Sequence, residues 1–455
     1  MSQVFITKLV IQTQSPMAIN SGAKETGFDT QLARDASGLP YIPATSIAGV
    51  WGHLIEDCTD LGKSVRDNWF GRTEQASSLV ISNGILHSAD NTPVGPLLTE
   101  EEVNNDSLLK LLRRERPHHR ERVAINDRGV AKHTGKYDQL LLPKGVRFSV
   151  TLKWTTSKRN DDYQLSDNEW QALLALWNDR KFAFGASTRN GLGRIKVIAC
   201  EQHSFDLSDG PQAGHKMQQC LENKTVKGNS LPEPTENQAE LLASLPLKAL
   251  DNWRCGTGST LMSKNTPDGS VALITYSEPE IEWNNNQAHL SNNKPVLCGS
   301  SVKGILAHRM AYHLRRHKQI WAEGMAEASH DEWQQSPVEL NELFGFAAEK
   351  ESEGKAGILY VDDAEISYTD TVLRTHNKID RFTGGVQKGA LFTEELLYQP
   401  QFTLNIWINR THHLSENVKK ALEDTISDLE MGLLPMGAGS GRGTSLVIPQ
   451  PEETK

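Results

Sequence analysis

Residues 43–50 read Pro-Ala-Thr-Ser-Ile-Ala-Gly-Val, and residues 298–305 read Cys-Gly-Ser-Ser-Val-Lys-Gly-Ile. Apolar residues follow each stretch at helical spacing, which predicts a core-facing helix with a Ser or Thr N-cap. A glycine-rich loop comes late in each half, Gly185–Gly193 in the first and Gly437–Gly443 in the second. A repeat of this length predicts two domains of one fold.

The spacing of other landmarks supports the duplication. Ser46 and Ser301 are 255 residues apart, and the glycine loops begin 252 residues apart. The pair Asp127-Arg128 recurs as Asp380-Arg381. Residues 278–293 have no counterpart in the first half, so we interpret them as an insertion. We divide the chain into a first domain (1–200), a linker rich in Pro, Gly, Asn and Gln (201–243) and a second domain (244–455).

Each half repeats one order of predicted elements: strand, helix, short strands, polar hairpin, strand, helix, glycine loop and terminal strand. The predicted strands are Val4–Thr13, Ser78–Leu86, Val146–Trp154, Arg194–Ala199, Leu245–Trp253, Gly357–Ile366, Phe402–Trp407 and Ser445–Ile448. The later helices are predicted at Asp167–Leu176 and Ser415–Met431. This order predicts an α+β fold of two tandem ferredoxin-like, or RRM-like, domains with large insertions.

Composition limits the class of protein. Hydrophobic residues make up 37% and charged residues 23%, as in an ordinary globular protein. No long apolar run and no signal peptide are evident, so we expect a cytoplasmic protein without a membrane partner. The five scattered cysteines argue against a disulfide framework and a cysteine-rich zinc site. The net charge of −9 disfavours nucleic acid overall, but basic stretches at 110–122 and 303–318 provide local positive charge.

Three repeated features predict binding to phosphate. A helix start with free N–H groups and hydroxyls is one, although an ordinary N-cap explains it equally well. Glycine loops with arginines are the second, and polar, glycine-rich hairpins that carry an aromatic residue are the third. Neither loop fits a nucleotide-binding motif, and a tight turn or a solvated loop is the structural alternative. The predicted RNA-binding residues are Thr45, Ser46, Ser300, Ser301, Lys303, Asp127, Arg128, Lys132, Arg189, Arg194, Asp380, Arg381, Lys388, Arg442, Gly191, Gly193, Gly439 and Gly441.

Taken together, these motifs resemble the RAMP-superfamily backbone subunit of type III CRISPR effector complexes, in two fused copies as in type III-D variants. The residues that carry the resemblance are the two helix starts, the Phe-Gly that precedes "VDDAEI" (361–366), the hairpin "IDRFTGGVQKGALFTEE" (379–395) and the late glycine loops. The resemblance implies that each half binds CRISPR RNA, that the hairpin is a thumb which flips a base out of the guide–target duplex, and that other complex subunits are partners.

The resemblance also implies catalysis. An aspartate in the loop after the first strand would cleave target RNA opposite the flipped base, and it corresponds to Asp29 in the first half and Asp268 in the second. The expected reaction is attack of a ribose 2′-hydroxyl on the adjacent phosphate, with a divalent metal, Mg²⁺, as cofactor. The metal ligand set stays unknown, and His133 is a candidate partner in the first half.

Two alternatives remain open from the sequence. The chain could bind guide RNA as a purely structural subunit without nuclease activity. It could also process precursor guide RNA, although no histidine and lysine set for that reaction is evident. Sequence-specific contacts to bases are not expected, because no aromatic pair of the RNP type lies on a strand.

Overall fold

The computed structural model describes residues 3–22, 30–58, 61–125, 130–156, 165–263, 271–329, 332, 335–347, 353–410 and 413–450. The first half contains β1 (Gln3–Thr13), α1 (Ala44–Asp57), α2 (Gly62–Phe70), β2 (Leu79–Ile81), β3 (Ile85–Leu86), α3 (Glu100–Asn105), α4 (Ser107–Leu112), β4 (His118–Ile125), β5 (Ala131–Leu141), β6 (Arg147–Thr155), α5 (Asp167–Ala175) and β7 (Ile195–Asp206). Helix α6 (Pro211–Glu222) follows.

The second half contains β8 (Ala239–Ala249), β9 (Asn252–Trp253), β10 (Val271–Leu273), β11 (Ser277–Glu278), β12 (Ile281–Asn284), β13 (Gln287–Leu290), β14 (Lys294–Leu297), α7 (Gly299–His317), α8 (Asn341–Phe344), β15 (Gly345–Phe346), β16 (Lys355–Ala356), β17 (Leu359–Val361), β18 (Ala364–Glu365), β19 (Asp370–His376), β20 (Phe392–Tyr398), β21 (Gln401–Asn409), α9 (Glu416–Glu430) and β22 (Val447–Pro449). Most predicted elements lie within a few residues of the observed ones. Three predicted strands are divided: Ser78–Leu86 into β2 and β3, Gly357–Ile366 into β17 and β18, and Leu245–Trp253 into β8 and β9, with β8 beginning at Ala239. Strand β7 ends at Asp206, beyond the predicted Ala199.

The main sheets of the two halves have the same strand order. In the first half the order is β2-β6-β1-β7, with β3 also paired to β6. In the second half the order is β17-β21-β8-β22. All of these pairs are antiparallel. The predicted α+β class is therefore confirmed, and each half repeats one topology.

Aromatic side chains dominate the core of the first half. Trp51 on α1 is fully buried, and its ring contacts Phe70, Trp170, Trp177 and Phe182. Its indole N–H donates to the Leu173 carbonyl at 3.0 Å, so its polar atom is satisfied despite burial. This cluster holds α1 and α5 on one side of the sheet.

The second half uses aliphatic side chains in the same place. Leu306 and Met310 of α7 pack with Leu404 and Ile406 of β21 and with Leu422 of α9. Helix α7 is longer than α1 and extends beyond this apolar stripe, where its side chains are polar. None of the helices in the described part of the chain combines the length and apolar composition that crossing a membrane requires.

The insertion in the second half packs against the first half. Strands β12 and β13 form a hairpin, and Ile281 joins the first half's core. Trp283 donates its indole N–H to the Gly145 carbonyl at 2.7 Å, and the Arg147 guanidinium lies 4.0 Å from the Trp283 ring centre. Gly145 has φ +92°, and a Cβ there would overlap the Ile281 carbonyl. The hairpin therefore joins the two halves.

The segment predicted as a linker, 201–243, contains regular structure. It includes the end of β7, helix α6 and the start of β8. Lys8 donates to the Asn223 carbonyl at 2.5 Å, and Asn178 donates to the Leu231 carbonyl at 2.8 Å. The Gln238 N–H donates to Asp179 at 2.6 Å. These bonds attach the segment to the surface of the first half, although its composition resembles that of a free linker.

Candidate nucleic-acid interface

The two aspartates expected to be catalytic, Asp29 and Asp268, lie outside the described residues. The residue after the first of these loops is described. The Thr30 hydroxyl accepts a hydrogen bond from the Leu140 N–H in β5 at 3.1 Å. The loop that contains Asp29 is therefore anchored beside β5, the strand that returns from the polar hairpin of the first half.

The loop that contains Asp268 is anchored in a corresponding way. The N–H groups of Met262 and Ser263 donate to the Glu395 carboxylate at 3.0 and 2.7 Å. On the other side of the loop, β10 pairs in parallel with β20. Glu395 lies on β20 and is fully buried. The described residues that flank each loop thus lie beside the strand that returns from the hairpin of their own half.

Buried Glu394, next to Glu395 on β20, provides a test of the expected Mg²⁺ site. Its carboxylate contacts His376 at 2.5 Å and lies 3.6 Å from Arg254 and 3.8 Å from Arg442. Glu395 is occupied by the two N–H groups described above. Glu395 therefore has N–H partners, whereas Glu394 Oε2 is buried and has no hydrogen-bond partner among the described residues. The nearby arginines oppose an added Mg²⁺ ion at Glu394 by charge repulsion.

The polar hairpin of the first half projects as strands β4 and β5. We call residues 118–141 the first arm. Its exposed surface includes Val123, Val130 and Tyr137. Lys132 and His133 are exposed on the same arm, whereas Asp127 and Arg128 at its tip lie outside the described residues. Exposed apolar and aromatic side chains beside a lysine suit a surface that contacts bases and phosphates.

The hairpin of the second half lies between β19 and β20, and we call residues 377–391 the second arm. Asp380 accepts hydrogen bonds from the N–H groups of Phe382 and Thr383, both at 2.9 Å. These bonds lower the pKa of Asp380. Asp380 therefore shapes the turn rather than offering a free carboxylate, while Arg381 and Lys388 are exposed.

Phe382 lies on this arm but was not among the RNA-binding residues predicted from the sequence. Its side chain is 100% exposed, which is costly for an aromatic ring unless a partner covers it. The signal was present as a lone aromatic in the glycine-rich turn Asp-Arg-Phe-Thr-Gly-Gly at 380–385.

The two Ser/Thr motifs do not provide the N-caps that the sequence predicted. Helix α1 has Pro43 at the cap position and α7 has Cys298, so Thr45, Ser46, Ser300 and Ser301 lie in the first turns. A side chain from elsewhere bonds each first N–H group instead. Asn83 accepts from Ala44 N at 2.9 Å, and Asp363 accepts from Gly299 N at 2.8 Å. The prediction failed because a cap residue must be extended, and the chain turns helical before the serines.

The glycine loop of the first half packs against the second half. Residues 188–190 form a 3₁₀ turn between Ser187 and Gly191, which are both left-handed. A Cβ on Gly191 would lie 2.3 Å from Asp363 Oδ1. Gly191 and Gly193 are both buried. Only glycine at 191 permits this close approach between the halves.

The basic residues of the first loop take part in the same contact. Arg189 donates to the Gly357 carbonyl at 2.5 Å, and Lys303 of α7 donates to the Leu359 carbonyl at 3.0 Å. Burial, together with the Arg189 charge, lowers the pKa of Lys303 to about 8. Arg194 pairs with Asp362 at 3.0 Å. The structure thus gives these three predicted phosphate-binding residues partners within the chain.

Buried ion pairs reinforce the contact between the halves. Asp362 pairs with Arg180 at 2.6 Å, and both side chains are only 4% exposed. Arg120 is likewise buried and pairs with Asp363 at 2.6 Å and with Glu278 at 2.5 Å. Burial opposes the Glu278 charge, but Arg120 and His118 hold its pKa well below the usual range. Removing one member of such a pair leaves a buried charge without a partner.

The glycine loop of the second half has the same backbone but is exposed. Residues 440–442 form a 3₁₀ turn between left-handed Gly439 and Gly443. A Cβ on Gly441 or Gly443 would meet no atom within 4 Å. Arg442 is exposed on this loop. Of the two loops, this one retains a surface open to a polyanion.

Three comparisons with known proteins complete the description. A family model described as the RAMP superfamily matches residues 10–196 and 246–447. The search of curated proteins gave no match. Among solved structures, a chain of "Cryo-EM structure of the Type III-B Cmr-beta bound to cognate target RNA" is similar, with 16% identity and a TM-score of 0.30. That match covers 44% of this chain and 61% of the other chain. Because the two family matches span most of the chain, one in each half, the chain belongs to the RAMP superfamily.

Proposed function

We propose that this protein is a CRISPR RNA-binding backbone subunit of a type III effector complex, with two RAMP units fused in one chain as in type III-D variants. The observation that carries the proposal is the repetition of a complete set of parts. Each half has the same sheet order, a hairpin arm and, beside the strand that returns from that arm, a described residue that flanks the segment with the loop aspartate. We also infer that each half has ferredoxin-like topology, which its strand order and the two helices on its sheet support.

The arms suit a role along a guide–target duplex. The exposed ring of Phe382 and the exposed apolar face of the first arm can stack on bases, while Lys132, Arg381 and Lys388 can contact phosphates. An arm inserted in the duplex would displace one base and free the adjacent phosphodiester from A-form stacking. The partners are therefore CRISPR RNA, target RNA and neighbouring subunits of the complex.

Target-RNA cleavage is the enzymatic part of the proposal. The ribose 2′-hydroxyl next to the displaced base attacks its own 3′-phosphate, the bond to the 5′-oxygen of the next nucleotide breaks, and a cyclic phosphate remains. Asp29 or Asp268 would orient the 2′-hydroxyl. A bound Mg²⁺ would neutralise the charge that develops on the phosphate. The arm and the loop beside it contribute by holding the in-line geometry.

The test replaces each aspartate with asparagine in the full complex assembled with guide RNA and end-labelled target RNA. D29N and D268N are each expected to remove one cut position while target binding persists, and the double variant is expected to cut at neither position. D251N changes an exposed aspartate elsewhere in the second half and serves as the matched control.

The alternatives predict different results. If the double variant still cuts at both positions, the aspartates are not catalytic and the chain is a structural guide-RNA binder. If the isolated protein cuts a repeat-containing precursor transcript, guide-RNA processing replaces the proposed activity. We expect no cleavage of that transcript.

A further inference from the structure

A polar cluster lies where α7 and α9 pack together in the second half. Helix α7 carries His313 and His317, and α9 carries Asp424 and Asp428. Residues four apart in a helix share one face, so the two histidines and the two aspartates face each other in pairs. Neither the proposed RNA surface nor the contact between the halves uses these side chains.

The distances within the cluster match those of a metal site. His317 Nε2 lies 2.7 Å and His313 Nδ1 lies 3.7 Å from the same carboxylate oxygen, Oδ2 of Asp424. One ligand atom from each of these three residues lies within 4.8 Å of the others. A tetrahedral ion with bonds of about 2.0–2.1 Å separates its ligand atoms by roughly 3.3 Å. Small side-chain adjustments would therefore suffice, together with transfer of the His317 proton from Nε2, which is bonded to Asp424, to Nδ1.

His313 is prepared to act as a ligand. Its Nε2 lies 2.6 Å from Asp428 Oδ2 and donates a proton to it, which leaves a lone pair on Nδ1. That Nδ1 is buried and has no hydrogen-bond partner, and the side chain is only 2% exposed. A carboxylate on the far nitrogen of a metal-binding histidine is a common outer-shell feature of metal sites.

Arg316 competes for the position of the ion. Its guanidinium lies 2.6 Å from Asp424 Oδ2 and 3.3 Å from His317 Nε2. The Arg316 side chain is 40% exposed, so it can move into solvent, and exposed ion pairs of this kind contribute little. Arg309 pairs with Asp428 and balances its charge. A divalent ion that displaced Arg316 would find one carboxylate and two imidazoles.

We propose that His313, His317 and Asp424 bind a divalent transition-metal ion, with Zn²⁺ as the best match, and that Asp428 positions His313. Two imidazoles and one carboxylate suit Zn²⁺ better than Mg²⁺, which prefers oxygen ligands alone. The scattered cysteines argue only against a cysteine-rich zinc site, and the ligands proposed here are histidine and aspartate side chains. The ion would brace α7 against α9, at the opposite end of α7 from the contact between the halves.

The test titrates the full chain with ZnCl₂ by calorimetry, using protein that carries no histidine tag and has been stripped with a chelator. The natural chain is expected to bind one ion at this site. H317Q and D424N are each expected to weaken that binding at least about tenfold. H308Q changes an exposed histidine on the same helix and should leave it unaltered. R316Q should strengthen binding, because it removes the competing cation.

The variants change partly exposed side chains, so circular dichroism and thermal unfolding without metal can establish that they fold. Added Zn²⁺ should raise the Tm of the natural chain but not that of H317Q or D424N. Unchanged affinity in folded H317Q and D424N would overturn the proposal. Absence of binding in the natural chain would overturn it too, even if R316Q bound the ion.

Discussion

The two glycine loops have the same backbone and opposite surroundings. Each contains a three-residue 3₁₀ turn between two left-handed residues, Ser187 and Gly191 in the first half and Gly439 and Gly443 in the second. The first loop is held against the second half, whereas the second loop is open. The same local conformation therefore serves the contact between the halves in one copy and remains available to a partner in the other.

The residues that follow β2 in the first half and β17 in the second half explain why only the first loop contacts the other half. The first half has Ser82 and Asn83 after β2, and the second half has Asp362 and Asp363 after β17. Asn83 accepts the first N–H of the preceding helix α1, and Asp363 accepts the first N–H of the preceding helix α7. Of these four residues, only Asp362 and Asp363 carry carboxylates, and both pair with arginines of the first half, as the Asp362–Arg194 pair shows.

The largest effect is expected from D362N, which leaves the buried Arg180 guanidinium without a charged partner. Loss of one member of a buried pair should lower the free energy of unfolding by about 3–5 kcal/mol. Chemical denaturation measures this loss. D370N, at an exposed aspartate of the same half, should change it by about 0.5 kcal/mol or less. Equal values for both variants would mean that Asp362 does not hold the halves together.

A second prediction compares alanine at equivalent positions of the two loops. Both glycines have positive φ, so G443A should lose about 1–2 kcal/mol of stability from backbone strain alone. G191A should lose about 1–3 kcal/mol more, because its Cβ would overlap Asp363. The difference between the variants in urea denaturation measures the contact. A zero difference would show that the first loop is as open as the second.

A smaller effect should separate the two loop arginines. R442Q is expected to weaken guide-RNA binding and to reduce the dependence of log affinity on log salt by about one unit, as for the loss of one phosphate contact. R194Q should leave that slope unchanged and lower stability by about 1 kcal/mol or less, since its side chain is partly exposed. Filter binding over a range of salt concentrations measures the slope. The reverse assignment of the two effects would contradict the comparison.

The last prediction concerns the dependence of stability on pH. The pKa of Lys303 is about 8 in the folded chain and 10.5 ordinarily. Between these values the unfolded chain binds more protons, so Lys303 makes the free energy of unfolding rise with pH. Relative to K303M, the natural chain should therefore gain free energy of unfolding from pH 8 to 10, as measured by chemical denaturation at each pH. A constant difference would indicate that Lys303 is not buried against the first loop.

Local sequence patterns predicted most of the fold but little of how the halves meet. Hydrophobic spacing predicted the strands of the two main sheets and the helices α1, α5, α7 and α9, but not α2, α3, α4 or α6. The contacts of Asp362 with Arg180 and Arg194 join residues more than a hundred positions apart, and no local pattern predicts them. A glycine loop with an arginine has the same sequence pattern whether the arginine binds phosphate or an oxygen of the other half. The sequence alone therefore could not distinguish Arg189 and Arg194 from Arg442. The N-caps failed for a related reason, since Asn83 and Asp363 come from distant elements.

Cross-linking of the assembled complex tests the central claim most directly. Guide RNA that contains 4-thiouridine would be irradiated in the complex, and the attached peptides identified by mass spectrometry. The account predicts cross-links in both arms, including the segment that contains Phe382, and in residues 437–443, with none in residues 187–191. Cross-links in 187–191 without any in the arms or in 437–443 would contradict it.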